Sequence, residues 1–215
     1  MLLQFILSPQ CLNCSSWTIQ SHLFCSDCFQ KTIHPKIVKN FKFFENSPHI
    51  FLIPWALDDR ECIDQLVYRL KNLQSYFALK DYAKKLRVVL LNLNLKKSNN
   101  ILIPIPSSRR KYNHAHALAK LLSEEGFGQY HDVLSKHQGN QQKYLSRSLR
   151  AQNRFFIKKE CEVFTHSLKL KTQQGHQVLF IDDILTTGES FKRCSELLGI
   201  ASNALCVTLF YREKA

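Results

Sequence analysis

Two adjacent carboxylates followed by a hydroxyl-rich turn are the residues whose types and spacing point most clearly to chemistry. Asp182 and Asp183 come directly after the apolar run 178–181, and Gly188 ends the turn just before a predicted helix. A phosphate there would meet the unpaired amide hydrogens of the helix start, the positive end of the helix dipole and nearby hydroxyl groups. Gly188 lets the backbone approach an anion closely because it carries no Cβ. We therefore predict an anion site formed by Leu185, Thr186, Thr187, Gly188, Glu189 and Ser190.

The two carboxylates indicate what else the anion would carry. Asp182 and Asp183 would repel a phosphate unless they faced neutral hydroxyl groups or a cation, and ribose hydroxyls and Mg²⁺ meet these two demands. The alternative is an ordinary strand end whose Asp and Thr side chains cap a helix. A P-loop is excluded, since the chain contains no Gly-x-x-x-x-Gly-Lys-Ser/Thr. The pattern favours a sugar-phosphate such as phosphoribosyl pyrophosphate, with Asp182 and Asp183 as candidate catalytic residues.

Four cysteines near the N-terminus form a second chemical pattern. Cys11-x-x-Cys14 and Cys25-x-x-Cys28 offer the four thiolates that a tetrahedral structural Zn²⁺ requires. A set of four cysteines leaves no open coordination position, so the pattern indicates a structural ion. Disulfide pairing is the alternative, and it is disfavoured because the rest of the chain is typical of a cytoplasmic protein without a signal peptide or a membrane span.

These sites require a sheet and helices to position them. A chain of 215 residues is long enough for one α/β domain and a small appendage, and we place the zinc-knuckle module at 1–40 and the larger domain at 41–215. Hydrophobic periodicity predicts strands at 49–55, 100–105, 177–181 and 204–211 and helices at 59–73, 79–95, 113–125 and 188–198. The weakly patterned segment 127–175 is predicted to be a mobile cover with short strands near Val133 and Phe155. The histidines His114, His116, His131 and His137 form no metal set and are expected at the surface.

The charge balance favours a polyanionic partner. The net charge is +13, although a merely soluble basic enzyme would show the same excess. A basic loop follows the predicted strand 100–105, and its cations would neutralise pyrophosphate. The predicted pyrophosphate loop consists of Ser107, Ser108, Arg109 and Arg110. Basic and aromatic residues mixed in this way also suit unpaired nucleic acid, which needs phosphate neutralisation and stacking faces. The candidates are Trp17, Phe24, Lys111, Tyr112, Lys143, Arg147, Arg150 and Arg154. A charged exposed helix accounts equally well for the last four, and most of the aromatics Trp17, Phe24 and Phe29 are expected to serve the small module's core.

Segment 178–190 resembles the phosphoribosyl pyrophosphate loop of type I phosphoribosyltransferases. The whole chain resembles the ComF/GntX family of competence proteins, and is ComFC-like. The supporting segments are the four-cysteine knuckle, Ile103-Pro104-Ile105-Pro106-Ser107, Tyr112-Asn113, and the series Gln142, Leu145, Arg150 and Asn153. The chain departs from the family at Glu189, which occupies a position that is more often small and is expected to point outward.

The resemblance implies an α/β fold with a type I phosphoribosyltransferase-like parallel sheet flanked by helices. It also implies a role in natural transformation, in which the protein handles single-stranded DNA during DNA uptake, with a DNA-uptake helicase or a recombination mediator as partner. It assigns Asp182 and Asp183 to the ribose hydroxyls, Thr186, Thr187, Gly188 and Ser190 to the 5-phosphate, and the loop after Pro106 to pyrophosphate carrying Mg²⁺. The alternative is an active Mg²⁺-dependent phosphoribosyltransferase with an unknown acceptor.

Overall fold

The structure, a computed structural model, describes most of the chain. The described residues are 10–18, 20, 22–37, 41–44, 47–56, 60–71, 76–95, 99–107, 113–136, 155–200, 202 and 204–212.

A six-stranded, mostly parallel sheet forms the centre of the described chain. Its strands are β1 (Phe41–Phe44), β2 (Ser47–Trp55), β3 (Asn100–Pro104), β4 (Gln129–Tyr130), β7 (Gln177–Leu185) and β8 (Ala204–Arg212). Their spatial order is β1-β2-β8-β7-β3-β4. The five strands from β2 to β4 run parallel, and β1 pairs antiparallel with β2 at one edge. The short strands β5 (Leu134–Lys136) and β6 (Phe155–Ile157) form a separate antiparallel pair.

Helices cover both faces of this sheet. They are α1 (Ser26–Cys28), α2 (His34–Ile37), α3 (Arg60–Lys71), α4 (Tyr76–Asn92), α5 (His114–Glu124), α6 (Glu162–Gln173) and α7 (Glu189–Leu197). A π-helical turn, Phe29–Ile33, joins α1 to α2, and a 3₁₀ turn, Lys159–Cys161, precedes α6. Helices α3, α4 and α5 bury apolar stripes in one core, while α6 and α7 contribute to a second core.

Strand β7 is apolar on both faces because it separates these two cores. Leu179 and Ile181 belong to the first core, and Val178 and Phe180 belong to the second. Such a continuous apolar run is expected of a central parallel strand. The neighbours β3 and β8 are covered in the same way, so the predicted α/β class and the parallel arrangement are confirmed.

The N-terminal cysteine-rich segment packs directly on the larger domain. Phe24 and Ile33 are fully buried in the same core as α4. The hydroxyl group of Tyr82 in α4 donates a hydrogen bond of 3.1 Å to the carbonyl oxygen of His22. The segment predicted as a separate module thus shares its apolar interior with the sheet and α4.

The predicted strands and helices are present with shifted ends, and the short strands expected near Val133 and Phe155 are present as the β5–β6 pair. The described part of 127–175 also contains β4 and α6, which were not predicted. Strand β7 extends to Leu185, so Asp182 and Asp183 lie within the strand and not after it. No helix in the described ranges is long and apolar enough to cross a membrane.

Candidate functional site

The carboxyl end of β7 lies between the carboxyl ends of β3 and β8, at the edge of the sheet where the parallel strands end. The backbone amide of Ile105 donates to the carbonyl oxygen of Ile181 at 2.9 Å, which extends the β3–β7 pairing to this edge. Ligands of open parallel sheets bind outside the carboxyl ends of the strands. Asp182 and Asp183 occupy this position, and both are half-buried.

The two carboxylates are directed to different faces of the sheet. On the α5 face, Oδ2 of Asp183 lies 3.7 Å from Nδ1 of His114, at the start of α5. On the α7 face, burial raises the pKa of Cys194, and the negative charge of Asp182 raises it further. Oδ1 of Asp182 also accepts a hydrogen bond of 2.8 Å from the backbone amide of Asp183. The pair therefore combines one carboxylate beside an imidazole with one beside α7.

The turn after β7 has the conformation that a close anion contact needs. Thr186 and Thr187 are exposed, and Gly188 has φ 72° and ψ −4°, in the left-handed region. A residue with a Cβ is strained in this region, which explains the glycine. Gly188, at the N-cap position, has no side chain that could cap α7, and the backbone amide of Glu189 donates a long hydrogen bond of 3.4 Å to Oγ1 of Thr187. Among the described residues, the first amide of α7 is therefore weakly satisfied.

Glu189 does not place an unpaired charge at this turn. Its side chain is exposed, and its Oε1 pairs with Nε of Arg193 one helical turn later. The acid is thus held along the outer surface of α7, as the sequence analysis expects. Ser190, the remaining hydroxyl residue of the predicted set, is half-buried in the first turn of α7.

The predicted pyrophosphate loop begins and ends beside the same edge. Ser107, which follows β3, is exposed, and α5 begins after Asn113, whose Oδ1 accepts from the backbone amide of His116 at 3.4 Å. Because His114 contacts Asp183, both ends of this connection flank the end of β7. Ser108, Arg109, Arg110, Lys111 and Tyr112 lie outside the described residues.

No family model and no curated protein matches this chain.

The four predicted metal ligands lie together. The sulfur atoms of Cys11, Cys14, Cys25 and Cys28 are all within 4.8 Å of one another. Sγ of Cys14 and Sγ of Cys25 are 3.7 Å apart, close to the ~3.8 Å between two sulfurs of a tetrahedral zinc site with Zn–S bonds of ~2.3 Å. The described cysteines are free thiols. These four cysteines thus form a candidate metal site that suits zinc.

The pKa values of the cysteine thiols also indicate a site that a bound cation would stabilise. Hydrogen bonds to Ser16 lower the pKa of Cys14 to about 6. At Cys28, the hydrogen bond from Asn13 lowers the pKa, but desolvation and the neighbouring thiols outweigh it and raise the pKa to about 12. Four adjacent thiolates are electrostatically unfavourable without a positive charge, and a divalent cation removes this cost.

The predicted nucleic-acid residues separate into three groups. Trp17 is 67% exposed and remains accessible for stacking. Phe24 is 0% exposed and packs in the core, as does Phe29, so the assignment of Phe24 to nucleic acid is wrong. A module of this size needs its aromatics to fill its interior. Lys143, Arg147, Arg150 and Arg154 lie, like Lys111 and Tyr112, outside the described residues.

Sequence reasoning missed the histidines at this edge. His114 and His116 have side chains only 15% and 18% exposed, contrary to the expected surface location. Nδ1 of His116 lies 2.8 Å from the hydroxyl group of Tyr130 and 3.6 Å from Oδ2 of Asp132. Asn113, a residue type favoured at helix starts, marked the beginning of α5 in the sequence but not its position beside Asp183.

A small pocket adjoins Asp183 and His114. It is partly open to solvent, with about 230 Å³ of space between its walls, and is otherwise lined by apolar residues of α3, α4, β7 and β8, namely Val67, Leu70, Leu79, Ile184, Leu209 and Phe210. Helices α3 and α4 therefore border the carboxylate edge.

Proposed function

We propose that the protein binds phosphoribosyl pyrophosphate, or a related sugar-phosphate, at the carboxyl edge of β7. The observation that carries this proposal is that Asp182 and Asp183, near the carboxyl end of a central parallel strand, are followed by a left-handed Gly188 at the start of α7. Weakly satisfied amides at a helix start favour a phosphate, and adjacent carboxylates favour sugar hydroxyls.

Each part of the edge has a role in this proposal. The amides and hydroxyls from Thr186 to Ser190 hold the 5-phosphate. Asp182 and Asp183 accept hydrogen bonds from the ribose hydroxyls, and the connection after Ser107 neutralises the pyrophosphate, which enters as its Mg²⁺ complex. The resulting domain is of the type I phosphoribosyltransferase kind. Zinc held by the four cysteines is structural and stabilises the segment that packs on α4.

We further propose that the protein handles single-stranded DNA in the cytoplasm during natural transformation. The resemblance to ComF/GntX proteins, the net charge of +13 and the exposed ring of Trp17 support this role. A helicase or a recombination mediator of DNA uptake is the corresponding protein partner. In this role the phosphoribosyltransferase-like domain serves as a scaffold that binds the sugar-phosphate.

An active phosphoribosyltransferase is the second candidate, and His114 favours it. Its imidazole lies beside Asp183, where it can take a proton from an acceptor nucleophile. Positioning and charge stabilisation account for most catalysis of this kind, so a strong general base is not required. Pyrophosphate release that depends on an added acceptor would establish this activity.

Calorimetric titration of the zinc-loaded protein with phosphoribosyl pyrophosphate and Mg²⁺ tests the site. Hydrogen bonds to charged groups contribute ~1.5–3 kcal/mol each, so the double variant Asp182→Asn/Asp183→Asn should bind at least about tenfold more weakly. The matched control is Glu160→Gln/Glu162→Gln, which neutralises two exposed acids beside and in α6 and should leave affinity unchanged. Equal affinities for all three proteins would reject the proposal.

A further inference from the structure

Three exposed aromatic rings lie around the junction of α3 and α4. Tyr68 near the end of α3 is 68% exposed, and Tyr76 and Phe77 at the start of α4 are 43% and 78% exposed. The rings of Tyr76 and Phe77 meet edge to face, with centroids 6.4 Å apart. None of the three rings belongs to the core, which is filled by other apolar residues of both helices.

The three rings are exposed on two helices that pack on the same core. Helices α3 and α4 bury their apolar stripes in one core on one face of the sheet, so their opposite stripes point to solvent together. Val67 and Leu70 of α3 line one pocket with Leu79 of α4, which places the end of the first helix beside the start of the second. The rings therefore lie on the outward sides of two helix ends that meet at this pocket.

Positive charges accompany these rings. Arg69, which follows Tyr68, is exposed, and Lys80, one turn after Phe77 in α4, is half-buried. Among the described residues, neither cation makes an ion pair. Helices α3 and α4 carry three acids. Asp81 is paired with Lys85 at 2.8 Å, Asp64 lies one turn before Tyr68, and Glu61 lies in the first turn of α3. We call Tyr68, Arg69, Tyr76, Phe77 and Lys80 the aromatic surface.

We propose that the aromatic surface binds single-stranded nucleic acid. Unpaired bases stack on exposed rings without regard to sequence, and unpaired cations neutralise the intervening phosphates. A protein partner or a second copy would need a larger continuous apolar area, whereas here Arg69 is next to Tyr68 in the chain, Lys80 is one turn from Phe77, and the whole chain carries +13. This inference rests on the proposed handling of single-stranded DNA and gives that role a location.

The location also relates the two proposed ligands. The pocket that joins α3 to α4 is lined by Asp183 and His114 as well. The helices that carry the aromatic surface therefore also border, with their buried sides, the edge proposed for the sugar-phosphate.

Fluorescence anisotropy with a labelled oligo-dT of about 20 nucleotides and the full zinc-loaded chain tests the surface. Tyr68→Ala and Phe77→Ala should each weaken binding by about tenfold, since one stacked base is lost. Tyr68→Phe keeps a ring and should bind like the unmodified chain, whereas Phe77→Leu keeps apolar character and should still bind weakly. Arg69→Gln combined with Lys80→Gln should reduce the slope of log K against log salt by about 1.4.

Leu170→Ala is the matched control. Leu170 is 60% exposed on α6 between Lys169 and Lys171, but it has no ring, so its loss should not change affinity. Exposed positions are expected to tolerate these changes, and circular dichroism melting verifies the fold.

Each other outcome has a definite meaning. If the oligonucleotide binds Tyr68→Ala and Phe77→Ala as tightly as the unmodified chain, the aromatic surface is rejected and DNA handling is retained. If the unmodified chain does not bind at low salt, both fall, while the sugar-phosphate titration still decides that site separately. If the same variants lose only binding to anionic phosphatidylserine vesicles, the surface belongs to a membrane and the proposal is overturned.

Discussion

At the scale of single residues, Gly188 determines how closely a phosphate can approach the backbone. Its φ of 72° is one that L-residues adopt only with strain. Gly188→Ala should lower the free energy of unfolding by ~1 kcal/mol and should also weaken sugar-phosphate binding, because the turn shifts to relieve the strain. Urea unfolding and calorimetric titration measure the two effects.

Gly175 provides the matched control for this change. It also has a positive φ, 88°, and an added Cβ would meet no atom within 4 Å. Gly175→Ala should therefore lose a similar free energy of unfolding without any change in ligand affinity. A loss of affinity in both variants would mean that global destabilisation, and not the turn, accounts for the effect.

The carboxylates and the turn were predictable from residue types, but their neighbours were not. Asp182, Asp183 and Gly188 follow one another in the chain, so their proximity needs no tertiary information. His114 reaches Asp183 only because α5 starts beside the end of β7. That contact depends on the order in which β3 and β7 pair, which periodicity along one chain does not specify.

At the scale of elements, the four-cysteine segment depends on its metal and on α4. Cys11 is buried in the core that contains Phe24 and Tyr82, so loss of the ion should loosen both. Cys11→Ser should reduce zinc content, measured by elemental analysis, and lower the melting temperature. Cys62→Ser, outside the cluster, should keep its zinc. Full zinc content in Cys11→Ser would contradict the ligand assignment.

Docking of this segment on α4 can be measured separately. Tyr82 is fully buried, and its hydroxyl group donates to the carbonyl oxygen of His22. Tyr82→Phe leaves that acceptor without its partner and should lower the free energy of unfolding by ~1 kcal/mol, read from urea denaturation. The exposed Tyr76 is the control, because Tyr76→Phe removes a hydroxyl group from an exposed side chain and should leave the free energy of unfolding unchanged. Equal stability of the two variants would contradict the docking contact.

The elements that sequence patterns missed are those with the weakest apolar signal. Helix α6 buries Leu168 fully but exposes Val163 and Leu170, so its hydrophobic residues do not follow one face.

Strand β7 was predicted to end at Ile181 because two carboxylates follow, yet parallel pairing with β8 continues to Leu185. Tertiary pairing overrides local polarity at such strand ends.

At the scale of the whole molecule, partly buried histidines make stability depend on pH. Burial lowers the pKa of His116, an effect that Asp132 opposes and that Lys158 and Lys120 reinforce. Burial also lowers the pKa of His131, and Lys171 lowers it further. Below pH ~6.5 the unfolded chain therefore binds more protons than the folded chain, so stability is present above this pH and is lost as the pH falls toward the folded pKa values.

Urea unfolding between about pH 7.5 and 5.5 tests this dependence. The double variant His116→Gln/His131→Gln should lose less stability than the unmodified chain over this range. Because both proteins carry the same cysteine site, acid release of zinc cancels in the comparison. Parallel stability curves for the two proteins would rule out these histidines as the cause.

The most direct test of the central claim is the amide spectrum of ¹⁵N-labelled protein during titration with ribose 5-phosphate. If the turn after β7 binds the phosphate, the amide signals of Thr187, Gly188, Glu189 and Ser190 should shift progressively and saturate. The signals of Asn100 and Gln177, at the opposite end of the sheet, should stay in place. Two results would contradict the site. One is binding that saturates while the signals at the turn stay unchanged, and the other is no binding at any ligand concentration.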